Sequence, residues 1–524
     1  MNFKEKILNY FNLNEADYLN LTRNIKDISL PSFDNFLEMD KASHIINNSI
    51  KNEEKIVIYG DYDCDGIMAT SILVKCFQML GVRVGYYIPS RYIDGYGLNE
   101  KRVNDFYQKG YKLIITVDNG IAQFDAINRA YELGMKVIVT DHHEMQDKLP
   151  ECEAILHPIV SKYGNVVCCG AYVAFMLASK LLNRYDEYLL SLASIATISD
   201  MMVLKEYNRD IVRLGIYNLN KNKYRNISLL ADNELINENI IGIKIAPKIN
   251  AIGRMVENTS VNVLVEYMTT DNIERLEYLY NFINDTNEKR KILTKDAAVG
   301  ISVNDDQSSI ALITELKEGI IGLLANNLLN KYKKPAIVFT KDSHDETVIK
   351  GSARSKKGLA INEFLLENKD ILITSGGHEQ AGGLSLYIKN FEIFKERFES
   401  YAKTHPFIEE KEDYIDISIT DINEDNYKFL RSLAPFGEGF KMPLLKISDI
   451  KVSSLCFSKT RLHILYPLSV NQKIIGFNYS KELLSNYDYI DIYGELGYSV
   501  FNGKESFDFN IRRICDKSNI VIGV

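Results

Sequence analysis

The strongest constraint on this chain is an alternation in its first two hundred residues. Short runs rich in β-branched side chains are "KIVIY" (55–59), "VRVGYYIPS" (82–90), "KLIITV" (112–117), "KVIVT" (136–140) and "AILHPIV" (154–160). Between them lie stretches with apolar residues at helical spacing, such as "GIMATSILVKCFQML" (66–80) and "AQFDAINRAYELG" (122–134). Apolar strands joined by amphipathic helices specify a doubly wound parallel sheet covered on both faces. Such a sheet binds its ligands beyond the carboxyl ends of its strands. The residues that follow each strand are therefore the informative ones.

Three strand ends are polar in the same way. After 55–59 come Asp61, Asp63 and Asp65; after 112–117 come Asp118, Asn119 and Gly120; after 136–140 come Asp141, His142 and His143. The first begins as a calcium loop does, D-x-D-x-D-G. However, that loop follows a helix and closes with a Glu at its twelfth position, which counted from Asp61 is Ile72. Singly, Asp-Gly and Asn-Gly are ordinary turn chemistry, and a His pair on a loop is commonly just solvated. Gathered on one edge, these carboxylates would repel one another and raise their pKa values unless cations neutralised them. Carboxylate plus imidazole donors suit Mn²⁺, with Mg²⁺ as a workable substitute. A metal centre is the expectation.

Composition excludes several classes. A length of 524 residues predicts about three or four domains. No apolar run reaches the roughly 18–20 residues that cross a bilayer, and the N-terminus reads as a small amphipathic helix rather than a signal peptide. Seven cysteines include the adjacent Cys168 and Cys169 but no C-x-x-C pair, so neither a disulfide framework nor a zinc finger is expected, and the setting reads as a reducing cytoplasm. The net charge of −8 discourages loose polyanion binding over the whole surface but permits a basic cleft. With Trp absent, stacking on bases would fall to Tyr or Phe.

The second half reads as three further parts. A helical connector (216–304) includes "NIERLEYLYNFINDTNEKRKILTKDA", whose charges read as a solvated face. Residues 305–402 form a second α/β unit with strands "SIALIT", "PAIVFT" and "ILITSGG". Residues 411–524 alternate with period two and predict a small β-barrel of OB type. The full expected division is an N-terminal helical segment (1–48), the doubly wound domain (49–215), the connector, the second α/β domain and the barrel.

"GDYDCDG", "TVDNG", "TDHHE" and "ATISDMM" occur in the order of the motifs of the DHH phosphoesterases, which the chain resembles. Further segments, "IPSRYIDGYGL" (88–98), "CCGAYVAF" (168–175), "APKINAIGRM" (246–255), "GSARS" (351–355), "GGHEQAGG" (376–383) and "LAPFGEGFKMP" (433–443), are similar to the RecJ branch. That resemblance implies a DHH domain, a DHHA1-like domain and a cytoplasmic exonuclease that degrades single-stranded DNA from the 5′ end in repair and recombination. A single-strand-binding protein or a helicase would be its partner. It implies two ions, Mn²⁺ or Mg²⁺, on Asp63, Asp65, Asp118, His142 and Asp200, with Asp118 bridging. Two cations about 3.5–4 Å apart are the usual clamp for in-line displacement at phosphorus.

By the same resemblance His143 faces the scissile phosphate, and Asp118, His143 and His378 form the catalytic set. Asp61, as a brace of the loop, and Asp141 rank behind the ligands. Arg91, Ser352 and Arg354 would hold the 5′ phosphate. Arg254 and His378 would meet phosphates nearer the metals, and Gly170 and Asn250 complete the substrate set. The chain departs from its relatives at Tyr59 (where some have a ligating His), Cys64 (Ala), Lys248 (Arg) and His157 (Asn). The competing functions are a DHH oligoribonuclease or cyclic-dinucleotide phosphodiesterase, and a non-catalytic DNA-binding scaffold. Inactive relatives of that last kind lose metal ligands, whereas every ligand position is filled here.

Overall fold

β-Branched residues fill β1 (Lys55–Tyr59), whose side chains are buried after Lys55, and the chain then turns at once into the helix Cys64–Met79. The computed structural model describes residues 1–255, 260–343, 345–408, 412–501, 503–518 and 520–522. It divides into two compact units. One comprises Leu30–Met202 and Glu206–Glu410; the other comprises Met1–Ser29, Val203–Lys205 and Lys411–Val524.

In the larger unit, β1 is joined by β2 (Gly85–Tyr87), β3 (Tyr111–Val117), β4 (Lys136–Thr140) and β5 (Ala154–Leu156). They form an all-parallel sheet in the order β2-β1-β3-β4-β5. The chain winds outward from β1 to β2, then crosses back to β3 on the other side. The crevice between the carboxyl ends of β1 and β3 is thus the switch point at which a doubly wound sheet receives its ligand. Val57, Tyr59, Ile114, Val137 and Val139 pack one face against Val103, Phe106, Ile127 and Ala130. Helices Cys64–Met79, Gly170–Leu182 and Glu187–Ser199 are buried nearly all round, as interior helices of a large core must be.

A 27-residue helix, Ile273–Val299, about 40 Å long, leads to the second sheet. Its strands β6 (Ile310–Ile313), β7 (Ala336–Lys341), β8 (Val348–Arg354), β9 (Leu372–His378) and β10 (Ala381–Tyr387) run in the order β6-β7-β8-β10-β9, parallel only between β6 and β7. Separate apolar cores cover its two faces.

The smaller unit holds a mixed six-stranded sheet of OB type. Its strands are β11 (Tyr414–Asp416), β12 (Leu444–Lys451), β13 (Ile464–Ser469), β14 (Gln472–Gly476), β15 (Tyr489–Phe501) and β16 (Lys504–Cys515), in the order β11-β12-β15-β16-β14-β13. Period two in "YIDISITDI" suggests a longer first strand than β11; the chain leaves the sheet at Asp416 and enters the helix Glu424–Ser432, capped by Asn423. The N-terminal helix Phe3–Tyr10 belongs to this unit: Phe3 and Ile7 are buried among Ile415, Leu430, Leu445 and Phe509, and Phe11 stacks on Phe440.

Candidate active site

Each acidic side chain is aimed by a local device. Asp63 caps the helix Cys64–Met79, accepting from the Gly66 amide at 3.1 Å. Asp65, in the first turn, is gripped from a second helix: its carboxylate oxygens accept the amides of Gly170 and Ala171, each at 2.7 Å. Two helix N-termini thus share one carboxylate, the charge their dipoles favour. Asp118 leaves β3 in the left-handed region (φ +61°), a conformation Asp tolerates better than most residues. A Cβ on Gly170 would stand 2.5 Å from the Asp118 carboxylate, so only glycine fits there. Asn119 ties the crossing together, donating to the carbonyls of Tyr59, Gly60 and Val117. Asp200 closes the helix Glu187–Ser199 as its C-cap.

These side chains converge. Ligand atoms of Asp61, Asp63 and Asp118 lie within 4.8 Å of one another, as do those of Asp65, His142 and Asp200, and those of Asp118, His142 and His143. His142 Nε2 is 3.1 Å from Asp118 Oδ1 and 3.6 Å from both Asp65 Oδ2 and Asp200 Oδ2. Asp118 therefore stands between two donor sets. Asp61 Oδ1, Asp118 Oδ1 and Asp200 Oδ2 are buried and accept no hydrogen bond, the state of oxygens aimed at a cation. Burial first, and then the neighbouring carboxylates, raise Asp61 and Asp200 to about 8 and push Asp63 and Asp118 up as well. Burial keeps His142 below its ordinary pKa, hence neutral and able to ligate. Oxygen and imidazole donors in two adjoining sets, with buried oxygens lacking partners, fit two divalent ions of the Mn²⁺ or Mg²⁺ kind.

Asp141 has a different task. Its carboxylate accepts the amides of Ile121, His142 and His143 and the Nδ1 of His143 at 2.8 Å. Burial works against protonating His143, but the hydrogen bond and charge of Asp141 outweigh it and raise the imidazole to about 9. His157 braces the same loop, donating from Nε2 to the His143 carbonyl and accepting from the Ile159 amide at Nδ1. The Tyr96 hydroxyl lies 3.2 Å from His143 Nε2. Tyr59 is wholly buried, its hydroxyl donating to the Gly97 carbonyl at 2.9 Å. It anchors the 88–98 loop where some relatives would present a ligand.

A cationic cluster is built by three close approaches. Gly253 lets the helix Ala246–Met255 touch the Tyr62 carbonyl, and Tyr62 carries the Arg91 guanidinium over its ring at 4.4 Å. Gly319 and Gly322, on one face of the helix Glu318–Tyr332, allow contact with the Arg254 backbone and with Ser352 and Arg354. The Tyr92 hydroxyl joins them, donating to the Arg254 carbonyl and accepting from the Gly319 amide. Arg354 donates to Ser352 Oγ at 3.0 Å. Burial, then the charges of Arg91, Arg290 and Arg354, lower Arg254 to about 10. Among the described residues no carboxylate pairs with these guanidiniums, and Arg91 Nε is buried without a partner.

Not every candidate joins the two clusters. Asn250 accepts from the Cys64 amide at 2.8 Å, fixing the acidic loop. Lys248 is buried against the Leu230 carbonyl and Asp232. His378 sits exposed at the end of edge strand β9, outside the donor sets. Neither Arg290 nor Tyr96 was singled out from the sequence, and His157 stood out only as a departure from relatives, not as the prop of the His143 loop.

Comparisons with known proteins match the chain domain by domain. Family models match in chain order: the DHH family, N-terminal domain, over residues 55–202; the DHHA1 domain over 306–404; and the RecJ OB domain over 415–513. The single-stranded-DNA-specific exonuclease RecJ of Escherichia coli strain K12 is 30% identical over 449 residues, 78% of this chain and 77% of that protein. The chain belongs to the RecJ family. RecJ of Bacillus subtilis is 32% identical over 490 residues, 89% of this chain; the match spans 62% of that longer relative. The crystal structure of Thermus thermophilus RecJ in complex with Mn²⁺ shares the fold, with a TM-score of 0.84 over 98% of this chain and 75% of that one, at 23% identity.

Proposed function

We propose that this RecJ-family chain hydrolyses single-stranded DNA from its 5′ end with the help of two divalent cations. The observation that carries this is the juxtaposition, within one compact unit, of a carboxylate–imidazole cluster with buried oxygens that accept no hydrogen bond and an arginine cluster that no carboxylate pairs among the described residues. The first suits metal ions, the second a polyanion. The likeness to E. coli RecJ and the RecJ OB domain match favour a DNA strand over a dinucleotide.

In this reading Asp63, Asp65, Asp118, His142 and Asp200 would hold the ions, with Asp61 as a further oxygen donor beside Asp118. Bound there, such ions supply Lewis-acid stabilisation of charge at phosphorus and a more acidic water. Gly170 and Ala171 keep Asp65 from swinging. His143, kept protonated near neutrality by Asp141, offers positive charge to a phosphate oxygen. Arg91, Ser352 and Arg354 take the terminal phosphate through charge-assisted hydrogen bonds. Arg254 takes an internal phosphate, and His378 contacts the strand away from the carboxylates. Residues 49–215 carry the chemistry, 305–402 the end recognition and 411–524 a further strand contact.

A cytoplasmic setting accords with seven free cysteines, and no helix among the described residues is long and apolar enough to cross a membrane. A single-strand-binding protein or helicase as partner extends the same reading, by family likeness. The test uses strands labelled at either end, with Mn²⁺ or with EDTA. Nucleotides should leave from the 5′ end of single strands only when metal is present; release from the 3′ end, or equal attack on duplex, overturns the assignment.

A further inference from the structure

The helix Ile273–Val299 buries Leu276, Leu279, Ile283, Thr286, Asn287 and Thr294, a stripe of three- and four-residue steps. Arg290 falls on that stripe and is half-buried, whereas Lys289, Lys291 and Lys295 around it are exposed. A guanidinium drawn out of water needs partners. Arg290 Nε and Nη2 both donate to Asn287 Oδ1, at 3.2 and 2.9 Å, and Asn287 is itself almost fully buried. Among the described residues no carboxylate completes the set. One edge of the guanidinium is thereby fixed, and its far end keeps N–H groups free for an anion.

The helix Ala246–Met255, whose last turn carries Arg254, packs directly against the helix Ile273–Val299, which brings Arg290 into the neighbourhood of Arg254; its charge, with those of Arg91 and Arg354, acts on that group. We infer that Arg290 is a further phosphate contact for the bound strand, beside Arg254 and held in orientation by Asn287. Four neighbouring guanidiniums match the regular charge of a nucleic-acid backbone, which presents one anion per nucleotide. This rests on the proposed single-strand activity and adds a subsite to it.

The test is equilibrium binding of a fluorescent 5′-phosphorylated oligo-dT in EDTA across a salt series, which needs no turnover. Arg290→Gln should weaken binding roughly ten- to hundredfold. It should also reduce the slope of log K against log salt by about 0.7, the loss of one phosphate contact on a single strand. Arg290→Lys should keep the slope while losing part of the affinity, and Asn287→Ala should do the same. A wild-type slope in Arg290→Gln marks a merely structural residue and overturns the inference. Should that variant not fold, undiminished affinity in Arg290→Lys overturns it and reduced affinity with an unchanged slope upholds it. A wild-type protein that shows no salt-dependent single-strand binding would instead sink the proposed function.

Discussion

Buried charge is paired in the OB-type unit and segregated at the candidate site of the larger one. In the OB-type unit, Lys446 Nζ meets Asp491 Oδ2 at 2.8 Å with both side chains largely buried, and Asp508 accepts from Ser499 and Ser506. Nearer the surface, Arg513 pairs with Glu412 and Lys517 with Asp449. In the larger unit, acidic groups collect around Asp118 and guanidiniums around Arg254, and among the described residues no ion pair joins the two groups. A chain selected for stability alone would pair them, because an uncompensated buried charge is costly. Paired charges hold a fold together; segregated ones are kept for ligands that arrive later.

The contrast breaks first at Asp118. Asp118→Asn keeps the left-handed backbone and the shape but removes the shared anion. Turnover should fall by at least about 10³-fold, roughly 4 kcal/mol of transition-state stabilisation. Stability of the metal-free protein should rise, because like-charge repulsion is relieved. A thermal midpoint that falls, or activity retained at saturating Mn²⁺, would show that the carboxylates are not strained together as described.

In the OB-type unit the largest effect should come from packing. Ile7→Ala removes a fully buried side chain from a core shared with Ile415, Leu430 and Phe509, at a cost of about 2–5 kcal/mol. Hydrogen exchange should report the loss in β11–β16 while Mn²⁺ affinity stays at wild type. An unchanged exchange pattern would mean that the N-terminal helix is not part of that core.

A smaller, more selective loss is expected at Arg354, the arginine proposed to bind the strand end. Removing one charge-assisted bond from a terminal phosphate costs on the order of 1.5–3 kcal/mol. Arg354→Ala should therefore slow cleavage of 5′-phosphorylated strands ten- to hundredfold and leave 5′-hydroxyl strands nearly unaffected. Equal loss on both would move end recognition elsewhere in the cluster. Smallest of all should be Lys517→Ala, which breaks an exposed pair worth less than about 1 kcal/mol. A loss of 3 kcal/mol or so in chemical unfolding would place that pair among the buried ones instead.

Much of the carboxylate–imidazole cluster was legible in the sequence because a parallel sheet sends every strand end to one edge. Once β1, β3 and β4 are recognised, Asp63, Asp65, Asp118 and His142 must meet, whatever the details. The place of Asp61, read from the sequence as a brace, was harder to see: its oxygen lies with those of Asp63 and Asp118. Asn250 was harder still: its amide turns inward to hold the Cys64 amide, a contact 186 residues away in the chain. Arg290 sits in a charged helical stretch whose composition resembles an ordinary solvated face.

The sequence by itself determined which elements form and which edge of the first sheet carries the acids, because period and turn chemistry are local properties. Only the tertiary structure decided which charges are left unpaired. Tyr59 turns into the core to hold Gly97, His157 props the loop of His143, and Gly253, Gly319 and Gly322 let four segments touch so that arginines from four places gather. Those outcomes depend on distances between residues far apart in the chain. Electrostatic energy follows distance and burial, and neither is written in the order of the residues.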